Sequence, residues 1–211
     1  DSLHFPETNL SIKSNNDISE IHIKTSASKT LSDAELNATV QTLTDGVKIH
    51  LSPSSFIVND KKWQLEKDGE LTIRKSYIDA SEVKFLQGNQ EIIISTEMDD
   101  VTDKTNVLAT LKKVNIDDFV PLFLKQPRLE GVLTGTITLK DPFGKQLVEY
   151  DAVAEDFTLD NKKIGTTSLK GNVNTVNGLI KLNAATDNSL YKFNINGSLN
   201  YKKDSADNQI N

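Results

Sequence analysis

Apolar and polar residues alternate along almost the whole chain, which is the mark of strands with one greasy and one wet face. The clearest run is Leu129–Lys140, where Leu129, Leu133, Ile137 and Leu139 share odd positions with glycines while Thr and charged residues hold most even ones. Tyr191, Phe193, Ile195 and Leu199 face one way in a second run, and Lys192, Asn194, Asn196 and Ser198 the other. Val47, Ile49 and Leu51 alternate with Lys48, His50 and Ser52, and Leu71 and Ile73 with Thr72 and Arg74. Shorter runs lie near 10–12, 21–23, 36–40, 56–58, 78–85, 107–111, 148–159, 169–173 and 179–184, and Ile92 and Ile94 carry another. Between them sit Asp45-Gly46, Asp68-Gly69, Gly88-Asn89, Asp160-Asn161 and Asn177-Gly178, turn chemistry that suits tight hairpins. Strands at such spacing predict a meandering antiparallel sheet.

One segment breaks the alternation. Phe119, Leu122 and Phe123 stand at helical spacing behind Asp117, so a short helix is predicted over 117–124, with the acid near its N-terminus. It divides the chain into a first β half (1–115), a helix and connector (116–126), a second β half (127–203) and a polar tail (204–211). The start at Asp1 and the polar close suggest a segment cut from something longer.

Composition narrows the function classes. The 211 residues carry a net charge of −6 and show no basic stripe, which argues against a nucleic-acid binder. The absence of cysteine removes disulfide scaffolds, thiolate metal sites and thiol nucleophiles. No apolar run approaches the roughly 20 residues of a membrane-spanning helix. His4, His22 and His50 are scattered without ligand spacing, and no nucleophile elbow, Walker or dinucleotide motif occurs, so neither metal, cofactor nor catalysis is expected. Asp99, Asp100 and Asp103 crowd one loop but lack the calcium-loop pattern, and a solvated acidic turn is expected there.

The remaining chemistry is the apolar face itself. Periodicity alone leaves a closed β-sandwich open as an architecture. Aromatic residues make up only 6% of the chain, and the apolar positions are mostly aliphatic and evenly spread. That pattern suits one long curved sheet around an apolar trough, and the predicted fold is therefore all-β: an elongated, curved antiparallel sheet with one short helix.

Four stretches in order carry a family resemblance: Phe56 to Leu65 with Asn59-Asp60-Lys61-Lys62-Trp63, Gln90 to Ile94, Val114 to Phe123 with Asn115-Ile116-Asp117-Asp118-Phe119, and Leu129 to Gly135. Together they resemble the C-terminal region of TamB-type, AsmA-like proteins, over about 47–201. The resemblance implies a periplasmic protein anchored in the inner membrane, whose β-taco groove shields phospholipid acyl chains in transit to the outer membrane. It also implies an Omp85-type, TamA-like outer-membrane barrel as partner of the full-length chain. On this reading the groove is lined by Val47, Ile49, Leu51, Leu71, Ile73, Ile92, Ile94, Leu129, Leu133, Ile137, Leu139, Tyr191, Phe193, Ile195 and Leu199. The competing readings are a chaperone-like scaffold that adds nascent outer-membrane strands to a sheet edge, and a sealed sandwich module without lipid.

Overall fold

The computed structural model describes residues 7–26, 31–81, 83–99, 104–122, 126–144, 146–187, 192–200 and 209–210. Among these, 17 strands join in one antiparallel sheet. They are β1 (Glu7–Asn15), β2 (Ile18–Ser26), β3 (Leu31–Leu43), β4 (Gly46–Leu51), β5 (Ser55–Val58), β6 (Lys61–Leu65), β7 (Gly69–Arg74), β8 (Ile78–Ser81) and β9 (Val83–Gln87). The ladder continues with β10 (Gln90–Met98), β11 (Thr105–Asn115), β12 (Leu129–Lys140), β13 (Leu147–Leu159), β14 (Lys162–Asn174), β15 (Leu179–Asp187), β16 (Lys192–Asn200) and β17 (Gln209–Ile210).

The topology is a meander, as the even spacing of turns dictates. β1 pairs with β2 and β2 with β3, and from β9 to β17 each strand pairs with the next. Between β3 and β10 two short strands share each rung. β3 pairs with β4 along its C-terminal half and with β5 near its start. β4 and β5 pair with β7 and β6, and these with β8 and β9. The breaks at 52–54 and 66–68 lie side by side, so the sheet is creased there. Ser54 holds the crease: its hydroxyl donates to the Ser52 carbonyl at 2.8 Å and accepts the Asn37 amide at 3.0 Å, while its carbonyl accepts the Leu65 amide at 2.9 Å. With neighbouring strands about 4.8 Å apart, the ladder from β1 to β16 runs roughly 60 Å.

The fold is the all-β, elongated, curved open sheet that the alternation predicts. The helix is shorter and starts earlier than expected: α1 spans Ile116–Phe119 and a 3-10 turn follows over Val120–Leu122, while Phe123 and Leu124 lie outside the described residues. The connector does not interrupt the sheet, because β11 and β12 pair directly. Asp68-Gly69 is not a hairpin, since it joins β6 to β7 along one rung at the crease. Gly46 opens β4 for a different reason than a positive φ: a Cβ there would lie 2.0 Å from the Ile73 carbonyl oxygen. The Asp160-Asn161 and Gly88-Asn89 turns do use positive φ, at Asp160, Asn161 and Gly88.

Candidate apolar face

Residues directly opposed in an antiparallel ladder share a face, so the register shows where each apolar side chain goes. Leu10 opposes Ile23, Ile23 opposes Leu36, and Ile21 opposes Ala38. Ala38 and Val40 oppose Leu51 and Ile49, and Val47, Ile49 and Leu51 oppose Ile73, Leu71 and Gly69. Through the other half of the crease, Phe56 opposes Trp63, and Leu65 opposes Phe85, which opposes Ile92. Ile92 and Ile94 then face Leu111 and Ala109; Val107, Ala109 and Val114 face Leu139, Ile137 and Leu133. Ala152 and Ala154 lead on to Leu169 and Thr167, then to Ala184 and Thr186, and finally to Ile195 and Phe193. Ile180 faces Leu199 in the same column as Val173.

The consequence is a single apolar face that never changes side over the whole ladder. Thirteen of the expected trough residues, from Val47 to Leu199, stand on it by this register. Leu129 lies beyond a bulge and opposes Leu159, and Tyr191 lies outside the described residues. The other face is polar. It carries the ion pairs Lys48–Glu70, Lys140–Glu149 and Lys170–Asp151, each at 2.8 Å, and an asparagine cluster in which Asn183 donates to Asn194 at 3.0 Å and to Asn196 at 2.6 Å. His22 and His50 also lie there, beside Asn37 at 2.6 Å and Asp68 at 3.3 Å. A shallow cavity of about 670 Å³ is lined by Thr166, Ser168, Ala185 and Asn194 of this side together with Thr186 and Phe193. The apolar face is a surface of neighbouring side chains.

That surface has two surroundings. Around Trp63 it is closed: Trp63 is 0% exposed, stacked on Phe56 at 5.9 Å and met edge-on by Phe119 of α1 at 5.4 Å. Phe85, Ile92, Leu111, Val114 and Leu133 complete the cluster. A β-bulge at Lys113, with φ of 53°, lets Leu111 and Val114 both stay on this face. Ile116 settles over Gly131, whose missing Cβ would sit 3.5 Å from the Ile116 Cδ1 and 2.9 Å from the Glu155 carbonyl oxygen. An ion pair fixes the helix. Asp118 is fully buried and accepts Lys61 Nζ at 2.8 and 2.9 Å and Asn59 Nδ2 at 3.1 Å.

Towards its two ends the face carries exposed apolar side chains, although small residues on it such as Ala38, Ala154, Thr167 and Thr186 are buried. Leu10 and Ile12 on β1 are 59% and 54% exposed, and Leu182, Ile195 and Leu199 on β15 and β16 are 40%, 38% and 44% exposed. Tyr150 bridges part of this stretch: it lies across Gly171 and donates to the Lys181 carbonyl at 3.1 Å. Burial pushes its phenol above the ordinary value.

Sequence reasoning overlooked β6, and with it the cluster. Lys61–Leu65 is too short and too polar at its start to read as a strand, although the single tryptophan at its centre was the available signal. Leu169, Ile180 and Leu182, strand residues by their alternation, also stand on the apolar face. Among the described residues no helix is long and apolar enough to cross a membrane, and no group of three or more His, Asp or Glu could hold a metal ion. The fold and its surface define an open, single-sheet β protein with one continuous apolar face. No family model, curated protein or solved structure matches the chain.

Proposed function

We propose that the chain is a non-enzymatic lipid conduit segment that shelters acyl chains along its apolar face, as the resemblance to TamB-type, AsmA-like proteins implies. The observation that supports this reading is the apolar face that keeps to one side of the sheet from β1 to β16, interrupted by Thr167 and Thr186, with its outer stretches open to water. A sheet that buried these residues for stability alone would close them against a second layer; here Leu10, Ile12, Leu182 and Leu199 remain exposed. Removing such area from water is worth about 25 cal/mol per Å², and an acyl chain laid along the column gains it without directional bonds. Head groups stay at the wet margin. Direction and energy come from the longer assembly, a periplasmic bridge from the inner membrane to an outer-membrane barrel.

One observation favours a second reading. β1 pairs on one side only among the described residues, with Leu10 and Ile12 exposed beside the free edge. That edge suits strand addition by an outer-membrane chain. Organic extraction of the purified protein separates the two: the conduit yields co-purified phospholipid, and a scaffold that works through its edge yields none.

A further inference from the structure

The covered part of the apolar face is built unlike a core. Its cover is one short helical segment, Ile116–Leu122, where α1 has only 4 residues and no side-chain cap at Asn115. An isolated helix of that length has no stability of its own, so what it touches holds it in place. Those contacts are Phe119 on Trp63, Ile116 over Gly131, and the Asp118 clasp to Lys61 and Asn59. Lys61 is 34% exposed, so water reaches one partner of the clasp from outside. Beneath the cover, the Trp63 indole N–H is buried with no hydrogen-bond partner. A buried donor left unpaired destabilises the covered state. Phe119 therefore rests on a surface continuous with the open stretches, in a seat with a built-in penalty.

We propose that this segment is a displaceable plug: Phe119 occupies the place on the apolar face that an acyl chain takes, and an amphiphile spreading from the open stretches competes with it. The inference rests on the lipid reading of the same face. When the plug lifts, the two open stretches join through the Trp63 cluster, and the indole N–H becomes able to donate to water or to an oxygen of the amphiphile. The clasp sets how readily this happens, because the affinity observed is the intrinsic one multiplied by the fraction of molecules that are open.

Trp63 is the single tryptophan, so its fluorescence reports on this seat alone. The test titrates the full chain with dibrominated stearate, whose bromines quench only an indole they touch, and follows binding in parallel by calorimetry. Wild type should show Trp63 quenching, and Asp118→Asn, which removes the charge of the clasp, should reach half-quenching at about tenfold lower concentration. Phe119→Leu should shift in the same direction and supports the inference should Asp118→Asn fail to fold by circular dichroism. Equal half-quenching concentrations in wild type and the folded variants overturn the plug. Calorimetric binding without any quenching also overturns it, while leaving the lipid reading intact. No binding at all removes the lipid reading and the plug together.

Discussion

Trp63 and Ile195 stand on the same face of the same sheet, yet one is sealed beneath α1 and the other is 38% exposed. The strands under them are built by the same alternation, so alternation did not decide the difference. What decided it is the surroundings: four aromatic side chains, a β-bulge that keeps Leu111 and Val114 together, and a helix clasped by a buried ion pair. Ile195 opposes the small Ala184, with Phe193 and Gly197 beside it on its own strand, and α1 packs on β12 rather than over it. The covered region holds the sheet together, and the open region keeps apolar surface in reach of water.

Introducing a charge gives the largest contrast between the two. Leu111→Asp places an unpaired carboxylate in the cluster and is expected to cost about 3–5 kcal/mol or more, enough to unfold a marginal domain. Ile195→Asp leaves its carboxylate hydrated and should keep the fold. Circular dichroism melts decide it, and two variants that unfold alike would erase the distinction between the regions.

Truncation sharpens the comparison at smaller amplitude. Trp63→Ala should cost about 3–5 kcal/mol by chemical denaturation, whereas Leu182→Ala, with its side chain already partly in water, should cost about 1 kcal/mol. Similar losses at the two positions would mean that the open stretch is a core after all.

The smallest expected effect is at Tyr150, in the open stretch. Its phenol is pushed up by burial, so the neutral form is favoured in the fold. That contribution is complete below the ordinary phenol value of about 10 and is lost as pH rises through the higher folded value. Wild type should therefore lose stability in that alkaline window relative to Tyr150→Phe, when each is referred to its own neutral-pH value. Parallel pH profiles for the two proteins would place Tyr150 in water.

Most of the architecture was legible because strand parity is a local property. Leu129–Lys140 and the run from Phe193 to Leu199 announce their faces without knowledge of any neighbour, and the Asn and Gly turns fix a meander. What the residues could not announce was long-range. The pairing of Asp118 with Lys61 spans 57 positions, and its own segment does not single it out from Asp117 beside it, which reads as a helix-dipole partner. The crease was hidden for a related reason: Asp68-Gly69 has hairpin chemistry, and only the neighbouring break at Ser52 to Ser54 shows that the chain continues along its rung. Which part of the trough is covered likewise depends on where α1 folds back, and periodicity carries no such information.

Site-specific photocrosslinking tests directly whether acyl chains lie on one face of the sheet, as proposed: a photoreactive side chain is placed in turn at Ile195 and Leu182 on the apolar face, and at Asn194 and Thr136 on the polar face, and each protein is irradiated with phospholipid vesicles. Phospholipid adducts are expected from Ile195 and Leu182 and essentially none from Asn194 and Thr136. Equal labelling of the two faces, or no labelling from Ile195 and Leu182 in folded protein, would contradict the proposal.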